Sequence, residues 1–82
     1  MEKVFVLLEE FSNDGDIECE VLGVSQSKET LKEKLEEQIE VYRGYGCFND
    51  EEFENAEKDD TSYFVTNGDY YGKLDIVEME LL

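Results

Sequence analysis

A single stripe of apolar residues constrains the architecture more than anything else in the chain. From Lys28 to Tyr42 no Gly or Pro interrupts the sequence, and Leu31, Leu35, Ile39 and Tyr42 recur at spacings of four, four and three. That spacing lines them up along one face of an α-helix. Ser27 stands where an N-cap is needed, because its side-chain oxygen can accept from a backbone N–H of the first turn. Gly44 is placed to end the helix in a left-handed conformation, and Gln38 and Val41 widen the edge of the stripe. This is the one long amphipathic helix in 82 residues. A lone stripe of this kind needs a sheet to cover it.

The flanking segments supply one. Lys3 to Phe11 is rich in β-branched and aromatic residues, with Val4, Val6 and Leu8 on one face and Phe5 and Leu7 on the other. This suits a strand with neighbours on both sides, covered at least partly on each face. Ser12-Asn13-Asp14-Gly15-Asp16 is a dense cluster of turn formers. Ile17, Cys19 and Val21 then alternate with Glu18 and Glu20 until the phase slips at Val21-Leu22, just before Gly23. Such a slip reads as a bulge or bend, and the two segments form a β-hairpin. In register with Ile17 and Val21, Cys19 reads as a buried thiol. Two cysteines are too few for a disulfide scaffold and lack metal-site spacing.

Residues 45–60 read either as a short second helix or as a solvated loop. Asn49 to Glu52 resembles a capping box, with Phe53 and Ala56 as an apolar anchor. Ser62 to Thr66 reads as a strand, and Asn67-Gly68 is a hairpin-turn signal. Lys73 to Leu81 reads as a last strand, with Val77, Met79 and Leu81 on one face and Glu78 and Glu80 on the other. The fold class is α+β: an antiparallel sheet of three to four strands in the order β-β-α-β-β, one amphipathic helix packed on one face, and a single domain over residues 1–82.

Val4 to Leu8 followed by Glu9-Glu10, then Leu22-Gly23-Val24-Ser25-Gln26-Ser27-Lys28-Glu29, then Ile76 to Leu81, resemble a diffuse group of small uncharacterised bacterial and mobile-element proteins. Members share a hydrophobic first strand, a Gly-Val-x-x-Ser turn into an acidic helix, and a last strand of Ile-x-Glu-x-Glu-Leu type. The resemblance implies a β-β-α-β fold and carries no functional residue. Residues 45–60 read as an insertion relative to it.

Function is constrained mainly by charge. Seven Lys/Arg oppose 23 Asp/Glu, for a formal net charge of −16. Such a chain repels nucleic acid and anionic membrane and is attracted to basic protein surfaces. No apolar run approaches the ~20 residues needed to span a bilayer. The Met1-Glu2-Lys3 start lacks the basic region of a signal peptide, which makes the cytoplasm the expected location. There is no histidine, no basis for a His-dependent triad and no phosphate-cradling Gly-rich loop. The chain therefore reads as a binding protein and not an enzyme, with no cofactor and no dedicated metal site. A weak calcium module built on Asn13 to Glu18 and Asp59-Asp60 is a third reading, set back by the lack of a twelve-residue EF-hand pattern.

The charge is unevenly spread. Between Ser27 and Gly44, Lys28, Lys32, Lys34 and Arg43 nearly balance Glu29, Glu33, Glu36, Glu37 and Glu40. The strands and loops carry almost all of the excess. Glu18 with Glu20, and Glu78 with Glu80, are i, i+2 pairs whose members share a strand face. With matched faces they would form a carboxylate panel opposite the helix. The acidic segment Asp50, Glu51, Glu52 and Glu54 would lie beside it, with Tyr45 and Tyr70 as exposed contact residues and Tyr42 and Phe48 in the core. The leading reading is an acidic protein that binds a basic, nucleic-acid-handling partner by imitating a phosphate backbone, as inhibitors carried by phages and mobile elements do. The alternative is a generic interaction or regulatory domain whose acidity serves only solvation.

Overall fold

A computed structural model describes residues 3–80. In chain order the elements are β1 (Lys3–Asn13), β2 (Asp16–Ser25), α1 (Lys28–Tyr45), α2 (Asp50–Glu54), β3 (Glu57–Lys58), β4 (Ser62–Thr66) and β5 (Tyr70–Glu80). All five strands join one antiparallel sheet in the order β2-β1-β5-β4-β3. The class is α+β, as the sequence implies, with differences in the strands. Ser12, Asn13 and Asp16, read as turn residues, belong to β1 and β2, which leaves only Asp14-Gly15 to make the turn. Glu57–Lys58 adds a fifth strand too short for any alternation to announce. The last strand starts at Tyr70, three residues before Lys73, directly after the three-residue Asn67–Asp69 connection. Asn67 Oδ1 accepts from the backbone N–H of Asp69 (2.9 Å) and Tyr70 (2.7 Å), returning the chain to the sheet at once.

Helix α1 begins as expected, with the Ser27 side chain accepting from Thr30 N. It passes through Gly44 and closes at Gly46, whose φ of 76° is left-handed. Gly44 is accommodated inside the helix at modest cost, and the added residues carry Tyr45 onto it. Asp50–Glu54 resolve as a helix, with Asn49 as its N-cap. Asn49 Oδ1 accepts from Glu52 N, and Glu52 Oε1 accepts from Asn49 N, both at 2.8 Å. This reciprocal pair satisfies two otherwise unpaired donors. No helix among the described residues is long and apolar enough to cross a membrane.

The core lies between α1 and one face of the sheet. Leu31, Leu35, Ile39 and Tyr42 pack with Leu7, Tyr63, Val65, Leu74, Ile76 and Phe48. Leu7 pairs with Ile76 and Gly23, and Leu74 pairs with Glu9 and Tyr63, so all of these residues point to the helix side. Two glycines fix the path of the helix across the sheet. A Cβ on Gly23 of β2 would meet Leu31 and Lys34 at 3.1–3.2 Å. A Cβ on Gly72 of β5 would meet the Tyr42 ring at 2.7 Å. Helix α1 therefore starts close over β2 and ends close over β5. It crosses the sheet diagonally and leaves two corners of its own face uncovered.

Strand β2 carries the expected bulge. Leu8 pairs with Val21 and Leu7 with Gly23, so Leu22 is the extra residue, and it packs half-buried against the core.

Candidate functional site

The register decides where the acidic pairs go, and it overturns the expected panel. Glu20 lies opposite Glu9 and Glu18 opposite Phe11. Glu78 lies opposite Phe5 and Glu80 opposite Lys3. Odd-numbered β1 residues face the helix, so all four glutamates do too, and none lies on the face away from it. Nor do they form one array. Phe5 and Glu9 are four residues apart, about 14 Å along β1, and the two pairs flank β1 on different strands. Each pair occupies one of the corners that the diagonal helix leaves open. Alternation shows which residues share a face and leaves open which face the helix covers. Leu7, Leu74 and Ile76 claimed it, and the glutamates followed by register.

The same inversion moves the residues expected inside. Ile17, Cys19, Val21, Val77 and Met79 point away from α1 and are exposed. Cys19 is therefore a surface thiol, its Sγ 3.8 Å from Glu10 Oε1. Leu81, expected beside Val77 and Met79, lies outside the described residues.

At the β2 corner the structure builds a cleft of about 560 Å³ lined by Glu9, Phe11, Asn13, Asp16, Glu18, Glu20, Tyr45, Cys47 and Tyr70. Asp16, Glu18 and Glu20 project along one side in a row spaced ~6.8 Å apart. Phe11 forms part of the floor, with Tyr45 standing edge-on to it at 5.6 Å. Across the cleft, Asn67 Nδ2 donates to Cys47 O at 2.7 Å and ties the loop after α1 to the turn before Tyr70. That contact holds two walls of the cleft at a fixed separation.

Glu9 connects the cleft to the core. Its Oε2 accepts from Tyr42 Oη at 2.6 Å and from Gln38 Nε2 at 2.7 Å, which are charge-assisted bonds. Burial, then the bond to Glu9, pushes the Tyr42 hydroxyl well above its ordinary range. The phenol remains a donor and keeps the Glu9 carboxylate fixed between helix and sheet.

Of the ten residues that the sequence put forward, the cleft gathers four: Glu18, Glu20, Tyr45 and Tyr70. Tyr45 is exposed as expected; Tyr70 is half-buried instead, a side wall of the cleft. Glu78 sits at the opposite corner, 3.8 Å from Lys3 Nζ, with Glu80 beyond it. Asp50, Glu51, Glu52 and Glu54 belong to α2, which packs near β4 away from the cleft. There Glu52 is engaged in its capping box, and Phe53 is held between Phe48 (5.7 Å) and the Arg43 guanidinium (4.4 Å). Glu9 escaped the sequence reading, and Asp16 entered it only within the Asn13 to Glu18 calcium reading. Asp16 is a turn residue by type, and Glu9 follows an apolar strand run that gives no hint of its buried partners. Among the described residues no group of three or more His, Cys, Asp or Glu converges to hold a metal.

Comparison with family models, curated proteins and solved structures returned no match to this chain.

Proposed function

We propose that the protein binds a basic partner through the cleft at the β2 corner. The observation that carries this reading is the row Asp16, Glu18 and Glu20 facing Tyr45 and Tyr70 across one cavity. Carboxylates at regular intervals offer charge-assisted bonds to Lys or Arg side chains. Aromatic walls add cation–π attraction, which strengthens when desolvated. The near-neutral outer face of α1 contributes little to such binding, while the field of the whole acidic chain steers a cationic partner in. A row of anionic groups beside aromatic rings also has the character of a single nucleic-acid strand. The partner is accordingly a protein surface that handles nucleic acid, and the mode of action is competition with a phosphate backbone.

The separation of the two glutamate pairs gives a test at constant net charge. Glu18→Lys with Glu20→Lys is compared with Glu78→Lys with Glu80→Lys, using an arginine-rich peptide as probe. The first variant is expected to weaken binding by at least an order of magnitude, mainly through slower association. The second should do much less, and single-stranded DNA should compete with the protein for the peptide. Equal losses from both variants would mean that only net charge matters, leaving an interaction domain whose acidity is solvating.

A further inference from the structure

The face of the sheet opposite α1 carries an apolar surface that nothing among the described residues covers. Six of the eight large hydrophobic side chains exposed among the described residues lie on it: Leu8, Ile17, Val21, Val24, Val77 and Met79, at 39–61 % exposure. They are contiguous by register. Val6 lies between Val24 and Val77, and Leu8 lies beside Val21. Monomeric proteins rarely leave so much contiguous apolar surface in water.

Charge on this face is sparse and mostly engaged. Among the described residues, only Glu10, Asp75 and Glu57 stand on it against Lys73. Glu10 accepts from Tyr71 Oη at 2.7 Å, and Asp75 lies 4.0 Å from Lys73 Nζ. A basic partner finds no complementary field here. A membrane surface finds no basic rim with which to hold an interfacial face.

We propose that this face binds a second copy of the chain, sheet against sheet. The two apolar faces are the same surface, so a twofold axis makes them self-complementary. Three strands of ten or eleven residues span a patch ~35 Å by ~14 Å. Once side-chain relief is included, that approaches the ~800 Å² per partner of a standard interface. Stacked sheets sit ~10 Å apart, which leaves the acidic corners of the two copies on the outer sides of the sandwich. Across that distance salt screens their repulsion, the Debye length being ~8 Å at physiological ionic strength. Salt therefore acts in opposite directions on the two surfaces: it strengthens the dimer and weakens the cleft's hold on a cation. The proposal does not depend on the cleft.

The test is sedimentation equilibrium of the full chain at low and at 0.5 M salt, with Val21→Glu/Val77→Glu as the variant. Both positions are already exposed, and circular dichroism checks that the variant is folded. The expected result is a dimer whose dissociation constant falls with salt and rises by on the order of 100-fold or more in the variant, through buried like charge. Alkylation of Cys19 should slow as protein concentration rises, while Cys47, on the helix side, keeps a constant rate. A wild-type chain that stays monomeric at high concentration and high salt overturns the proposal and leaves the face to a different protein. A dimer that the variant does not weaken overturns it as well, since the contact would then lie elsewhere.

Discussion

The two faces of this sheet have similar hydrophobic strands and opposite fates. On the helix side, Leu7, Val65 and Leu74 are fully buried, and the two corners that α1 leaves open carry carboxylates. On the other side, Val21, Val24 and Met79 are more than half exposed, and most of the protein's charge is absent. Polarity along a strand thus does not reveal inside and outside here. What separates the faces is shape: the helix side has glycine at the two points where α1 must approach closely, and the open side has none.

This contrast is most directly broken by truncation. Leu35→Ala should cost ~2–5 kcal/mol in urea denaturation, through lost burial and a residual cavity. Val21→Ala on the open face should cost under ~1 kcal/mol at concentrations where the chain is monomeric. Comparable losses at the two positions would mean that the open face is covered within the monomer.

Gly72→Ala comes next. The new methyl would sit 2.7 Å from a ring carbon of Tyr42, a side chain with no exposure, and overpacking of this kind costs ~1–3 kcal/mol. Gly23→Ala should cost less, because part of its contact is the flexible Lys34 chain. If the order is reversed, the helix is anchored at its β2 end and the diagonal must be redrawn.

Tyr42→Phe sharpens the link between core and cleft. It removes one donor to the half-buried Glu9 carboxylate, at a cost of ~1–3 kcal/mol. Its pH signature follows from the raised folded pKa of Tyr42. An unfolded tyrosine ionises near pH ~10, while the folded protein keeps this proton to higher pH. Tyr42's stabilisation is therefore whole below pH ~10 and is lost as pH climbs beyond it. Melting curves of the wild type should fall steeply above pH 10, and those of Tyr42→Phe more gently. Some slope should remain, because burial raises Tyr63 in the same direction. The smallest expected effect is that of Val24→Thr on the open face, within ~0.5 kcal/mol in the monomer.

Much of the fold was legible because it is local. The Leu31-Leu35-Ile39-Tyr42 stripe, the Asn49 capping box and the slip at Leu22 each depend on neighbours within a few positions, and each appears where the spacing put it. The site was legible only in pieces. Glu18, Glu20, Tyr45 and Tyr70 come together because α1 crosses at a slant and runs through Gly44 to Tyr45, and neither property is written in the alternation. On β5 the polarity reverses midway, from Leu74 and Ile76 facing the helix to Glu78 and Glu80 in the same phase. Read alone, its C-terminal half suggests the wrong face.

The bulge at Leu22 has a consequence for which insertions and deletions this hairpin can accept. Val21 and Gly23 already hold consecutive register positions against Leu8 and Leu7, so losing Leu22 would leave every other pairing intact and remove only one half-buried side chain. Losing a residue between Ile17 and Glu20 has no such outlet. It would either pull the strand off its turn or carry glutamates onto the apolar face and valine into the cleft. The hairpin thus has one position where its length can change without exchanging its two surfaces.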